Sequence, residues 1–140
     1  MAGTVTVTET PLRDNDQKII GKRLVISATG DASDGTFPNT TLKKLRGYLQ
    51  YPVITNPGST APTDNWDWAI LDSVDSTADA AGGAGTDRDT TNTENAVATP
   101  SGSATPYFFD GGNYTLTISG NSQASATLQI VMRFLFVQKS

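Results

Sequence analysis

The chain has 140 residues and a formal net charge of -4 from 14 acidic and 10 basic side chains. That length suits one domain able to bury about two-thirds of its unfolded surface. With neither histidine nor cysteine in the sequence, it lacks the commonest general base, the thiolate nucleophile, disulfides and the usual transition-metal ligands. Oxygen ligation is the metal chemistry left.

The mild charge gives no reason to expect a nucleic acid or an anionic membrane as partner. The acid is concentrated: Asp72, Asp75, Asp79, Asp87, Asp89 and Glu94 share their stretch with a single base, Arg88. The opening MAGTVTVTET has no charged n-region and no apolar h-region, so no ordinary secretory signal is expected. No apolar run approaches the roughly 20 residues that span a bilayer, and the longest, near Ile130 to Val137, is interrupted by Arg133. A soluble protein made in a cytoplasm is the expectation.

Along the chain, short alternating runs are separated by turn chemistry, the pattern of a sandwich or barrel. Val5 and Val7 alternate with threonines, a β-branched run suited to an edge or joining strand. Ile20, Leu24, Ile26 and Ala28 share one parity of a second strand. After a polar loop over 30–41, Leu45, Gly47, Leu49, Tyr51 and Val53 form a third. The Pro- and Gly-rich stretch 55–62 reads as a turn, and Trp66, Trp68 and Ile70 alternate in a fourth strand, antiparallel to the third if that turn closes a hairpin.

Residues 72–103 are dominated by Asp, Thr, Ala, Gly, Ser and Asn; a loop of that length carries function or short elements of its own, with Val97 marking one candidate. Phe108 and Phe109 end an aromatic cluster, the turn Asp110-Gly111-Gly112-Asn113 leads to Tyr114, Leu116 and Ile118, and Gly120-Asn121-Ser122 makes the next turn. The last strand is the clearest, with Leu128, Ile130, Met132, Phe134 and Phe136 on one parity. Apolar on both parities near its end, it is expected to be central or covered by a neighbouring subunit. The fold predicted is all-β, a single antiparallel β-sandwich domain over 1–140 of six to eight strands with long loops.

Several patterns invite a chemical reading. Clustered carboxylates bind calcium when their oxygens converge, but Asp72, Asp75 and Asp79 lack the alternate spacing of an EF-hand, and a solvated acidic loop is the simpler account. Glycosidase chemistry needs two carboxyls at a set separation; here the acids sit in turn contexts that capping and Asx turns explain. Gly82-Gly83-Ala84-Gly85-Thr86 lacks the Lys-Ser/Thr ending of a phosphate-binding loop. Lys43, Lys44 and Arg46, with Tyr48 and Tyr51 nearby, read as a solvated strand start and not as a nucleic-acid site. Trp66 and Trp68 stand side by side on one strand face, as a stacking platform or as core. Phe108 and Phe109 either plug the sandwich end or anchor a neighbour. The sequence thus calls for no cofactor and no bound metal, and predicts a non-enzymatic protein.

The run Pro57-Gly58-Ser59-Thr60-Ala61-Pro62-Thr63-Asp64-Asn65-Trp66-Asp67, followed by Ile70, Asp72 and the tract Gly85-Thr86-Asp87-Arg88-Asp89-Thr90-Thr91-Asn92-Thr93-Glu94, resembles small virion structural proteins of tailed bacteriophages. The likeness covers about a quarter of the chain, with weaker support from Gly112 to Gly120. The turn after Leu71 departs from the family pattern, reading Asp72-Ser73-Val74-Asp75-Ser76-Thr77-Ala78-Asp79 where a glycine and an apolar pair are expected. The resemblance implies a role and no catalytic residues: a component bound in many copies as a capsid decoration, head-fibre base, or neck or tail accessory. Its expected partners are other virion proteins and copies of itself, its expected place the virion. Trp66, Trp68, Asp87, Arg88, Phe108 and Phe109 are the candidate interface residues, with 82–94 the segment expected to order on a neighbour. The alternative is a carbohydrate- or host-surface-binding sandwich that uses the two tryptophans with calcium held by the acidic loop.

Overall fold

A computed structural model describes residues 2–50, 53–72, 94–96 and 108–136. They form ten strands: β1 (Thr4–Arg13), β2 (Ile19–Thr29), β3 (Thr40–Leu42), β4 (Arg46–Leu49), β5 (Val53–Pro57), β6 (Asp67–Asp72), β7 (Glu94–Ala96), β8 (Phe108–Asp110), β9 (Tyr114–Ser119) and β10 (Thr127–Leu135). No helix occurs among the described residues. Every pairing is antiparallel, in one sheet of seven strands and a second of three ordered β3-β9-β6. The two sheets pack face to face around one apolar core, the sandwich the alternation predicts.

The large sheet is organised on β10. Its Leu128, Ile130, Met132 and Phe134 lie beside Ala28, Ile26, Leu24 and Lys22 of β2. β1 continues the same rows on the other side of β2, with Val5 beside Ala28, Val7 beside Ile26 and Glu9 beside Leu24. Paired residues share a face, so these rows carry the inward side chains across the sheet. β10 is central, flanked by β2 on one side and by β4 and β5 on the other. β1 is an outer strand, joined to β2 by a turn in which the Asp14 carboxylate accepts from the N–H groups of Asp16 and Lys18.

Two expectations of connectivity are corrected. The run from Leu45 to Val53 is not one strand but two, laid end to end along β10: Leu49 opposes Phe134 and Ile54 opposes Val131. Five steps on one side against three on the other mean that β4 and β5 are offset from one another along β10, and Tyr51, read as part of the same run, lies outside the described residues. β5 then runs to Pro57, into the stretch read as a turn. Nor do the third and fourth predicted strands make a hairpin. β6 belongs to the small sheet and pairs with β9, while β5 pairs with β10 and β7. The Gly-rich turns behave likewise: β8 and β9 lie in different sheets, as do β9 and β10, so both turns are corners of the sandwich. Val97 lies outside the described residues, next to β7.

Candidate functional site

Strand alternation brings Trp66, Trp68 and Ile70 to one face of β6, and that face is the inner one. Trp66 is 0% and Trp68 1% exposed. The platform reading is therefore corrected to core: an indole enclosed between two sheets has no face on which a sugar ring stacks. Among the described residues Trp68 Nε1 is a buried donor without a hydrogen-bond partner, a cost of about 1–3 kcal/mol accepted for the volume the ring fills.

Phe109 is also core. Its ring meets Tyr114 at 4.9 Å and Phe134 at 5.2 Å, both edge-on, the arrangement that ring quadrupoles favour. Opposite it in β4 is Gly47, at φ +106°, where a Cβ would sit 2.5 Å from the Leu135 carbonyl oxygen. Glycine there lets β4 approach β10. Tyr114 in turn donates through its hydroxyl to Asp110 Oδ1 at 3.3 Å. The aromatic plug is thus built from three strands. Phe108 lies in β8 opposite Tyr48, and its side chain, like Asp87 and Arg88, lies outside the described residues.

The exposed features lie elsewhere. Lys22 falls on the inward parity of β2, one register beyond Leu24, so the apolar row ends on a cation at the mouth of the sandwich. Its Nζ is 3.1 Å from Glu9 Oε1 and donates to the Lys44 carbonyl at 3.4 Å. Lys44 and Arg46 join it around an open depression of about 340 Å³ floored by Phe136, with Arg46 Cζ 4.7 Å above the Phe136 ring. A cation over an aromatic face is held by the ring quadrupole. The basic cluster read as a solvated strand start is thus one side of a cationic mouth, which Lys22 completes from a distant strand. Ile19 and Ile20, 45% and 36% exposed, begin β2 close by. The mouth gathers three cations, Lys22, Lys44 and Arg46, with Glu9 beside Lys22 and Asp110 opposite Arg46. Among the described residues, no group of three or more Asp and Glu side chains gathers to hold a metal ion.

The second exposed feature is the outer side of β1. Among the described residues no strand pairs with it, although it is ten residues long. Between its inward face and β3 runs an open groove lined by Val7, Glu9, Lys22 and the stretch 41–44.

Family models, curated proteins and solved structures were all compared with the chain, and none matches it.

Proposed function

We propose that the chain is a non-enzymatic structural component of a bacteriophage particle, bound in several copies as a capsid decoration, head-fibre base, or neck or tail accessory. The sequence likeness to small virion proteins across residues 57–94 carries this reading. An all-β sandwich with a long strand edge that no described residue pairs with is compatible with it, because such edges bind by strand addition and symmetry multiplies modest contacts. The carbohydrate-binding alternative loses its principal support once Trp66 and Trp68 are core.

The test is association with particles. Purified protein carrying a fluorophore at an exposed loop should bind particles assembled without it, saturating at a copy number that is a multiple of a particle symmetry. Sedimentation of particles with no bound label, at protein concentrations well above the micromolar range, would sink the proposal. A glycan array run with and without calcium should stay blank in the same experiment.

A further inference from the structure

We infer that two copies of this chain join through the outer edges of β1, antiparallel and centred on Thr6, to make one continuous sheet across the pair. The inference deepens the proposed role by naming a self-contact, but it rests on the edge alone and stands whether or not the chain belongs to a virion.

The hydrogen-bonding phase comes first. Gly30 donates to the Ala126 carbonyl and Phe136 to the Ile20 carbonyl, so even-numbered residues of β2 face β10. In an antiparallel ladder the N–H and C=O of one residue point the same way and successive residues alternate. Odd-numbered residues of β2 therefore face β1, where their partners are Thr4, Thr6, Thr8 and Thr10. That leaves Val5, Val7, Glu9 and Pro11 with their backbone groups directed outward. Proline in this phase fits independently, since a ring without an N–H is tolerated where the missing donor would have faced away from the sheet.

The edge has two unlike halves. From Glu9 onward it carries the devices by which natural edges resist pairing: a charge, a proline, and an irregular register between Leu12 and Arg13. From Thr4 to Thr8 it has none of them. The unguarded half reads Thr-Val-Thr-Val-Thr, which is the same in either direction. Turned about an axis normal to the sheet and midway between the two Thr6 residues, Val5 meets Val7 of the second copy and exchanges both N–H···O=C bonds with it, and Val7 meets Val5. Thr4 faces Thr8, and Thr6 faces itself in a non-hydrogen-bonded pair, with Cα atoms about 4.5 Å apart.

Side-chain chemistry picks this register. Val5 and Val7 pack on the core, so pairing puts four valines in one inward patch at the mouth of the groove between β1 and β3. Threonines stand opposite threonines on the outer face, a favourable cross-strand pair. Centring on Val7 instead would set Glu9 against Val5 on the inward side. Centring on Val5 would leave Val7 opposite Gly3. Registers centred between residues would oppose outward-facing backbone groups with inward-facing ones. A second copy is the occupant because only the strand's own sequence satisfies every pair in this way.

The experiment uses the full chain, which has no cysteine of its own. Thr6 and Thr8 are exposed on the outer face, so their variants should fold, as thermal melting would verify. Sedimentation equilibrium should show a monomer–dimer system. Under mild oxidation Thr6→Cys should form a covalent dimer, since non-hydrogen-bonded pairs have disulfide-compatible spacing, whereas Thr8→Cys, whose opposite residue is Thr4, should not. Thr6→Lys should weaken dimerisation by up to about fivefold through like charges set directly opposite, and mixing it with Thr6→Glu should restore a mixed dimer. A chain that stays monomeric at every concentration overturns the inference, as does a dimer indifferent to Thr6→Lys or one that crosslinks through Val7→Cys in preference to Thr6→Cys. A dimer that never binds particles leaves the self-contact in place and removes only the virion role.

Discussion

β1 and β10 are built alike, with β-branched or apolar residues at alternate positions, yet they meet opposite fates. β10 has a strand on both sides, and Ile130 and Met132 are 0% exposed. Among the described residues β1 has a strand on one side, and Val5 and Val7 are half-buried. Alternation fixes which face of a strand is apolar; the residues that bring neighbours to its two edges decide how much that face is worth.

Truncation should expose the contrast. Ile130→Ala at the sheet centre should cost about 2–5 kcal/mol, read as a lower urea midpoint at unchanged m-value. The equivalent change in the same row at the edge, Val7→Ala, should cost about 1 kcal/mol, because two carbons leave a half-covered site. Equal losses would mean that the β1 edge is already covered in solution, which the paired form of the protein would explain.

Gly47→Ala tests the centre from its other side. A methyl group at φ +106° and 2.5 Å from the Leu135 oxygen strains the backbone and pushes β4 off β10, costing about 1–3 kcal/mol. The Phe109 plug should loosen with it, seen as weaker near-ultraviolet aromatic dichroism. The edge offers a smaller lever in Glu9→Gln. The Lys22–Glu9 pair has side chains 15% and 54% exposed, so its loss should cost about 0.2–1 kcal/mol and fade with added salt.

The last lever lies in the loop that follows β2. Asp31 accepts from the Ser33 hydroxyl at 2.5 Å and from the Ser33 N–H at 2.7 Å, and these hydrogen bonds hold its carboxyl below the ordinary value of 3.8. A lowered folded-state value stabilises the fold above 3.8 and is lost as pH falls through the folded-state value. Asp31→Asn should flatten that part of the acid limb in pH-dependent melting while leaving stability above pH 5 little changed in slope.

Much of this architecture was legible in the sequence. The inward parity of Leu128 to Phe134 and the shared face of Trp66 and Trp68 follow from a period of two, and the edge expectation for the Val5 and Val7 strand came from its threonine-rich, β-branched composition. The division after Leu49 was not legible, because the alternation of Leu45, Leu49 and Val53 runs on in sequence across two strands whose pairings with β10 are offset. Sheet membership was equally hidden: Gly-Asn and Gly-rich segments announce a reversal of direction, and a corner between sheets uses the same residues as a hairpin. Of the candidate site, the cations Lys43, Lys44 and Arg46 were visible as a run, but Lys22 joins them only through the β2–β10 register. The burial of Trp66 and Trp68 needed the second sheet, since alternation marks a face as aromatic without saying what covers it.

The central place of β10 has a consequence in time. Thr29 of β2 pairs with Thr127, and Pro57 of β5 with Leu128. During synthesis the β1–β2 hairpin emerges with one edge of β2 unsatisfied, and about a hundred residues must follow before its partner exists. At ~5–20 residues per second that wait lasts roughly 5–20 s, far longer than the microseconds in which a hairpin forms. Leu24 and Ile26 therefore wait seconds for the strand that covers their edge, and the closing step belongs to the slow, non-local class of folding events.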